Sequence, residues 1–297
     1  MAPAISIYIP CYNVANYIAP VIEGALRQNL PADEIVIIDD GSTDNTCEIA
    51  SHYRVKIVRH ERNRGLAAAR NTGLQAARNE YVAFLDADCV PSPVWLETLI
   101  TAFTSANVAL AGGRLIEKYS TSYADRWRAA HMPQEWGDAR LIDPKFMFGN
   151  NGIARKSILS LVGGYDERMR TNGEDVDMSQ RLRERGYTFV YDPAATVEHL
   201  RHDSVSSVLN AYWRWWRFGV KAYAHTVRLR SIAATFYRAH LRTTLVQCVR
   251  KDLANRNFSL LFLDFLTPFY MLYRDLALYF HSASNPGASA LSEAKAP

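Results

Sequence analysis

The first hundred residues alternate four times between short apolar runs and longer helical patterns, and this alternation restricts the fold most. The apolar runs cover residues 5–9, 34–38, 55–58 and 81–85, and they are typical of strands buried on both faces. Each run is followed by a segment with a helical pattern, at residues 17–27, 43–52, 66–77 and 93–105. Four consecutive βα units predict a mostly parallel sheet that is covered by helices on both faces.

The length and the charge pattern indicate one large domain followed by a smaller region. A chain of 297 residues with 48% hydrophobic composition lies near the upper limit of a single domain. Residues 1–200 hold 21 Lys and Arg against 25 Asp and Glu, whereas residues 201–256 hold 11 against 2. We therefore predict an α/β domain over residues 1–200, a basic, aromatic-rich helical region over 201–281 and a disordered tail over 282–297.

The cysteines and the N-terminal residues indicate a reduced, cytoplasmic setting. The four cysteines are far apart and form no C-x-x-C pair, which argues against a disulfide framework or a zinc knuckle. The opening residues MAPAISIYIP lack the basic and apolar regions of a signal peptide. Asp264, Pro268, Arg274 and Asp275 interrupt the apolar segment 258–280, so the sequence predicts an amphipathic or docking helix pair instead of a transmembrane anchor.

Three of the predicted strands end in polar residues that would share one edge of the sheet. Asp86 and Asp88 follow the fourth strand, and Asp39 and Asp40 follow the second. The first strand ends in the sequence PCYN, where the ring of Tyr12 is placed to lie against a base. Open α/β sheets bind ligands at the carboxyl ends of their strands, so this pattern predicts a metal or a polar ligand. Each stretch taken alone is also typical of a strand-to-helix turn or a helix cap.

Two further stretches carry charged residues on predicted helices. Arg70 lies in NRGLAAARNTG, where small residues let a ligand or a backbone approach, although a solvated arginine fits the pattern equally well. If a helix begins near Glu174, Asp175 shares a stripe with Met178 and Leu182 that faces the protein. A carboxylate on that side is unfavourable unless it faces a cleft. The alternative for Asp175 is a simple first-turn acid that stabilises the helix dipole.

Six motifs together resemble the inverting family 2 glycosyltransferases, which have the GT-A fold. They are PCYN at 10–13, DDGSTD at 39–44, NRGLAAARNTG at 63–73, FLDADCVP at 84–91, GGYDE at 163–167 and GEDVDMSQRL at 173–182. The likeness covers about residues 4–200, and the order and spacing of the six are more specific than any one of them. The resemblance implies a Rossmann-like, mostly parallel sheet with flanking helices, followed by a mainly helical C-terminal extension.

The resemblance also implies a nucleotide site and a metal site. The nucleotide-binding residues carried over from it are Pro10, Tyr12, Asp39, Asp40, Arg70 and Asp86. A nucleotide diphosphate is anionic, so an acidic pair binds it only through a divalent cation, for which Mn²⁺ or Mg²⁺ with oxygen ligands is expected. Asp88 is the first choice for direct ligation and Asp86 reaches the ribose or metal-bound water. His199 matches a position near the metal in many relatives, although a histidine without a ligand role is the simpler interpretation.

The chemistry that the resemblance implies is the transfer of a sugar with inversion. In that interpretation Asp175 deprotonates an acceptor hydroxyl, and a positioned base of this kind contributes a factor of about 10² to 10⁴ in rate. Glu174 orients the acceptor or takes the place of Asp175 as the base. The donor is expected to be a UDP- or GDP-linked sugar, and the acceptor a polysaccharide, a glycolipid or a lipid-linked glycan.

The region 201–281 leaves two interpretations open. Its segment AYWRWWRFGVKAY, residues 211–223, interleaves aromatic and basic residues and fits peripheral attachment to an anionic membrane, on the cytoplasmic face. The alternative is an ordinary amphipathic helix with tryptophan in the core and arginine in solvent. A nucleic-acid partner is not expected, because the first 200 residues are acidic. A homo-oligomer stays open.

Two other function classes compete with glycosyl transfer. A nucleotidyltransferase on a similar sheet wants a glycine-rich basic loop after the first strand, and PCYNVANY contains neither Gly nor Lys. A dehydrogenase or a P-loop kinase would need G-x-G-x-x-G or G-x-x-x-x-G-K, and both are absent. The non-enzyme alternative is a nucleotide-sugar-binding or scaffold protein that has kept only the donor pocket.

Overall fold

The computed structural model describes residues 3–169, 172–218 and 229–284, and they belong to two compact units. Unit 1 comprises Met1–Lys118 and Gln134–Arg201, and unit 2 comprises Tyr119–Pro133 and His202–Pro297. Residues 119–133 therefore belong to the same unit as the C-terminal helices, although they lie in the middle of the α/β region of the sequence. The tail predicted at 282–297 lies outside the described residues from 285 onward.

Unit 1 is built on one mixed β-sheet. Its strands are β1 Ile5–Cys11, β2 Glu34–Asp39, β3 Lys56–Arg59, β4 Tyr81–Leu85, β5 Cys89–Pro91, β6 Val108–Glu117, β7 Leu141–Ile142, β8 Asn151–Arg155 and β9 Thr188–His199. Their order is β3-β2-β1-β4-β8-β6-β9-β5, with β7 paired to β9. The half formed by β3, β2, β1 and β4 is parallel, as the four βα units predict. The antiparallel strand β8 then joins β4 to β6.

Helices pack on the sheet and bury both of its faces. They are α1 Ile18–Leu26, α2 Thr46–Ser51, α3 Leu66–Ala76, α4 Trp95–Ile100, α6 Lys156–Leu161 and α7 Glu174–Arg183, while α5 Tyr123–His131 belongs to unit 2. Successive side chains of a strand point to opposite faces, so Ile7 and Ile9 of β1 enter one core cluster and Tyr8 enters the other. This double burial explains why the strands are continuous apolar runs in the sequence.

Unit 2 is helical in its described residues. Besides α5 it contains α8 Val205–Phe218, α9 Leu229–Thr235, a π-helical segment Phe236–Leu245, α10 Val246–Ala254, a 3₁₀ turn Phe258–Leu260 and α11 Leu261–Ser284. The predicted helix pair at 258–280 is wrong, because α11 is one helix with Pro268 inside it. A proline inside a helix costs about 3 kcal/mol, and the buried face formed by Leu263, Met271 and Leu278 offsets this cost.

Buried carboxylates connect α11 to the other helices of unit 2. The indole Nε1 of Trp127 donates to Asp264 at 2.9 Å, and that of Trp213 donates to Asp275 at 2.9 Å. The acids that interrupt the apolar segment in the sequence therefore point inward and carry hydrogen bonds. Among the described residues, no helix combines the length and the apolarity that crossing a bilayer requires.

The described part of the basic aromatic segment 211–223 packs largely inward. Tyr212, Trp213 and Arg217 are all buried, and Trp215 and Trp216 are partly buried against the core of unit 2. For residues 211–217 this favours an ordinary amphipathic helix over a membrane-facing one, while residues 219–223 lie outside the described residues.

Candidate active site at the carboxyl edge of the sheet

The loops after β1 and β2 are tied together at the carboxyl edge of the parallel strands. The backbone N–H of Asn13 donates to Ser42 Oγ at 3.0 Å, and the N–H of Thr43 donates to Asn13 Oδ1 at 2.8 Å. Pro10 is buried at the end of β1, whereas the ring of Tyr12 is 41% exposed beside it. The structure thus brings the PCYN and DDGSTD motifs into contact, with the partly exposed ring of Tyr12 beside them.

Asp39 and Asp40 are both buried and have protein partners. Asp39 accepts a hydrogen bond from the N–H of Ser42 at 2.9 Å and lies 3.1 Å from Arg59 Nε. Asp40 accepts from the N–H of Arg64 at 2.7 Å and from the N–H of Gly65 at 2.8 Å, and it also contacts His60. The bonds of Asp40 hold the loop that precedes α3, and the bond of Asp39 to Ser42 holds the turn after β2.

The Asp86–Asp88 pair lies where β4 gives way to β5, and His199 lies beside it. Strand β5 is antiparallel to the end of β9, with Cys89 opposite His199, and this places His199 Nε2 at 3.3 Å from Asp88 Oδ2. Burial opposes the charge on His199, but the hydrogen bonds that its ring donates to Asp88 and Glu117 raise its pKa to about 9. Burial also opposes the charge on Asp88, yet His199 lowers the pKa of that carboxyl to about 2.

These side chains fit a divalent cation. A carboxylate oxygen of Asp88 and a ring nitrogen of His199 face each other, and both are ligands that Mn²⁺ accepts. Glu117 Oε2 lies 2.7 Å from the other ring nitrogen, Nδ1, which is how outer carboxylates orient a metal-binding histidine. Asp86 is partly buried close by, and burial raises its pKa to about 6 although Arg70 opposes the rise. Glu117 is a residue that the sequence reasoning missed.

Arg70 is buried among the acids and is not the solvated residue that the sequence left as an alternative. Its guanidinium donates to Asp86 Oδ1 at 3.0 Å and to the carbonyl of Gly149, and its Nε lies 3.5 Å from Glu174 Oε1. The centroid of the Tyr165 ring lies 5.7 Å from the guanidinium carbon Cζ of Arg70. Arg70 therefore connects Asp86, at the end of β4, to Glu174 in the first turn of α7.

The two acids at the start of α7 differ in environment. Asp175 is partly exposed, and its carboxylate accepts from the N–H of Gly149 at 3.0 Å and from the N–H of Val176 at 2.8 Å. Glu174 is 3% exposed, and burial together with the charge of Asp175 raises its pKa to about 8. Met178 and Leu182 face the core as predicted, but the neighbouring stripe with Glu174 and Asp177 is buried too. Arg70 and Arg181 pair with these two acids, which makes their burial tolerable.

The loop 149–151 joins the two acidic motifs, and sequence reasoning gave it no role in the site. Gly149 offers its N–H to Asp175 and its carbonyl to Arg70, while the carbonyl of Asn150 accepts from the N–H of Asp86 at 2.8 Å. A Cβ on Gly149 would lie 2.5 Å from Arg70 Nη1, so only glycine fits this position. The sequence signal was the Gly-Asn-Asn run directly before a buried strand.

Solved structures share this fold. The mannosyltransferase PcManGT from Pyrobaculum calidifontis, in complex with GDP-Man and Mn²⁺, superposes with a TM-score of 0.55 at 18% identity, covering 98% of this chain and 78% of that one. TarS 1–349 of S. aureus gives a TM-score of 0.58 at 15% identity, covering 95% of this chain and 92% of that one. The sheet and its helical C-terminal region are those of a GT-A glycosyltransferase.

Sequence comparison then gives the family. The model of glycosyl transferase family 2 matches residues 6–162, and the chain belongs to that family. The pre-mycofactocin glycosyltransferase of Mycobacterium tuberculosis is 31% identical over 204 residues, which are 66% of this chain and 42% of that protein. The poly-beta-1,6-N-acetyl-D-glucosamine synthase of Staphylococcus epidermidis is 29% identical over 245 residues, 78% of this chain and 57% of that protein. The chain thus spans about half the length of these curated relatives.

Proposed function

We propose that this protein transfers a sugar, with inversion, from a nucleotide-diphosphate sugar to an acceptor hydroxyl with the help of a divalent cation. One observation carries the proposal: Arg70, Gly149 and Asn150 join Asp86 and Asp175 in a single hydrogen-bonded assembly at the sheet edge, and Asp88 follows Asp86 two residues along the chain. The leaving diphosphate needs a positive charge beside it, and the attacking hydroxyl needs a base. A cation bound by the D-x-D acids would supply the first, and Asp175 would supply the second.

The donor pocket in this proposal is formed by the tied loops after β1 and β2. Tyr12 has an exposed ring on which a base can stack, and Pro10 fixes the chain beneath it. Asp39 and Asp40 contact the nucleoside and at the same time hold the pocket wall through their backbone hydrogen bonds. The nucleotide is UDP or GDP, since solved structures of this fold contain GDP-Man or UDP.

The cation belongs with Asp88 and His199, with Asp86 on the ribose or on metal-bound water. When bound, it screens the negative charge of the diphosphate as the leaving group departs. The pKa of Asp88 lies at about 2, so this carboxyl is ionised at neutral pH. His199 must give up its proton to become a ligand, and Glu117 orients the ring for that role. Mn²⁺ and Mg²⁺ both fit the carboxylates, and the imidazole favours Mn²⁺.

Asp175 is the general base and Glu174 is not. A base must be ionised, and the raised pKa of Glu174 keeps that side chain largely protonated at pH 7. Asp175 lies in the first helical turn, is partly exposed, and has its carboxylate oriented by two backbone N–H groups. Arg70 offsets the negative charge of Asp86 and positions the loop on which Asp175 depends. Glu174 is assigned to orienting the acceptor side.

The acceptor in this proposal is a hydroxyl of a polysaccharide, a glycolipid or a lipid-linked glycan. The similarity to a poly-beta-1,6-N-acetyl-D-glucosamine synthase supports a glycan acceptor. A cytoplasmic protein that attaches to the inner face of the membrane would meet such acceptors.

A paired binding and turnover experiment tests the function. The melting temperature is measured with UDP or GDP, with and without Mn²⁺, because a ligand that binds only the folded state raises stability by mass action. We expect a nucleotide-dependent rise that needs Mn²⁺, and release of nucleotide from a UDP- or GDP-sugar that EDTA abolishes. Asp88→Asn should lose both effects.

The outcomes separate the enzyme from the scaffold alternative. Metal-dependent binding of nucleotide sugars without any release of nucleotide, across the acceptors offered, would favour a nucleotide-sugar-binding protein. Wild-type binding of nucleotide and Mn²⁺ by Asp88→Asn would remove the metal site from the proposal.

A further inference from the structure

The outward face of α11 carries a row of exposed aromatic side chains. Phe258 in the preceding turn and Phe262, Phe265, Phe269 and Tyr273 on the helix are 53–66% exposed. Their spacing of four, three, four and four residues puts all five on one side of the helix. We call this row the aromatic stripe. Isolated exposed apolar residues are ordinary, but a continuous aromatic row on one helix is typical of a binding surface.

The rest of α11 explains why the aromatic stripe stays outside. Leu263, Met271 and Leu278 face the core of unit 2, and Asp264 and Asp275 are buried on the same side with tryptophan donors. The helix is therefore anchored by its inward face and cannot rotate to bury the stripe without breaking these bonds. These bonds keep the aromatic stripe on the outward face, where a partner can bind it.

The charged residues in the range 229–284 indicate what kind of partner the aromatic stripe binds. Among the described residues 229–284, all three carboxylates, Asp252, Asp264 and Asp275, are buried. The exposed charged side chains in the same range are all basic: Arg230, Arg238, Arg242, Arg250, Lys251 and Arg256. The stripe itself contains no charged residue. A helical region that exposes aromatic rings and, among its described residues 229–284, only positive charge is complementary to the headgroups and upper acyl chains of an anionic bilayer.

We propose that unit 2 docks on anionic lipid membranes with α11 lying in the plane of the interface and the aromatic stripe inserted. A helix of 24 residues is about 36 Å long, which gives the stripe room for several lipids in a row. Phenylalanine and tyrosine rings suit the boundary between headgroups and acyl chains. The docking face differs from the one expected at residues 211–223, whose described aromatic residues largely pack inward. Membrane docking by this face does not depend on the reaction that unit 1 catalyses, because neither a sugar donor nor an acceptor takes part in it.

Vesicle flotation of the purified full chain tests the proposal. The probes are vesicles of phosphatidylcholine alone and vesicles with 30% phosphatidylglycerol, about the anionic fraction at which basic segments bind well. We expect flotation with the anionic vesicles that weakens as salt is raised. Phe262→Ser with Phe269→Ser should lower the partition coefficient at least about tenfold. Arg238→Gln with Arg242→Gln should lower it about tenfold on the anionic vesicles only.

A matched control keeps the test specific. Ile142 and Leu161 of unit 1 are exposed to the same degree as the stripe, at 63% and 59%. Ile142→Ser with Leu161→Ser removes comparable apolar surface elsewhere and should leave flotation unchanged. The melting temperature of each variant shows that it is folded.

Three results would overturn the proposal. The first is the absence of flotation of the wild-type chain on the anionic vesicles at low salt. The second is a wild-type dimer in light scattering that the stripe variant converts to a monomer while neither binds vesicles, since the stripe would then be an interface between copies. The third is a loss of flotation in the control variant as large as that in the stripe variant, since the aromatic stripe would then not be the cause of binding.

Discussion

Replacing Asp175 with asparagine is the sharpest test of the proposed chemistry, because the change removes one charge and almost no volume. The carboxylate accepts the N–H of Gly149 at 3.0 Å and the N–H of Val176 at 2.8 Å. An asparagine oxygen can keep one of these bonds but cannot take a proton from an acceptor. Loss of the base should therefore lower kcat by about 10² to 10⁴, which is about 3 to 5 kcal/mol in the barrier.

The same change has a separate and smaller effect on stability. Hydrogen bonds to a charged group contribute about 1.5–3 kcal/mol, and a first-turn acid adds about 0.3–1 kcal/mol through the helix dipole. Because one bond survives, we expect a loss of about 1–2 kcal/mol in the free energy of unfolding. Asp177→Asn is the matched control, since Asp177 lies in the same turn, is buried and pairs with Arg181 at 2.7 Å. It should lose comparable stability and keep its turnover.

The assay is the release of nucleotide from the sugar donor at saturating donor and Mn²⁺, with the affinity for nucleotide measured in parallel by calorimetry. Asp175→Asn should change kcat and leave the nucleotide Kd within about threefold. If its kcat stays within about threefold of the wild type, Asp175 is not the base. If Glu174→Gln, and not Asp175→Asn, shows the large loss, the two roles have to be exchanged.

Three further outcomes follow from the geometry. Gly149→Ala places a Cβ 2.5 Å from Arg70 Nη1, so chemical denaturation should show a loss of about 1–3 kcal/mol, and a wild-type midpoint would contradict the packing argument. Trp127→Phe leaves Asp264 without its indole donor at 2.9 Å and should lower the free energy of unfolding by about 1–3 kcal/mol, as urea titration can measure. Burial raises the pKa of Glu174 in the folded state to about 8, above its unfolded value, so this group stabilises the fold at low pH and loses that contribution as the pH rises through 8. Melting temperatures of Glu174→Gln should consequently fall less between pH 6 and 9 than those of the wild type, and parallel curves would refute the shift.

Local patterns were enough to predict the parallel half of the sheet and the position of its acidic edge. Residues 35–38 are apolar at every position because the strand is buried on both faces, and such runs make the strands recognisable in the sequence. The carboxyl ends of parallel strands share an edge, so Asp39, Asp40 and Asp86 could be grouped before any coordinates were known. The order and spacing of the six motifs predicted membership of glycosyl transferase family 2, and the match of that family's model to residues 6–162 confirms it.

Long-range contacts were not accessible in the same way. Arg70 and Gly149 are 79 residues apart, and Asp88 and His199 are 111 apart. No periodicity links such positions, because they meet only when β8 and β9 insert between strands that lie much earlier in the chain. The burial of Arg70 and the contribution of Glu117 to His199 are for this reason properties of the folded sheet.

In the segment 258–280, too, the sequence determined some properties and only the tertiary structure decided the others. Its sequence determined that the chain there is apolar, aromatic and interrupted by acids and a proline, and this excluded an uninterrupted apolar span. Only the tertiary structure decided that Asp264 and Asp275 turn inward to tryptophan donors, and that the aromatic stripe therefore turns outward. The physical reason is that a buried carboxylate must find a hydrogen-bond donor, and the positions of the donors are set by other helices of the fold.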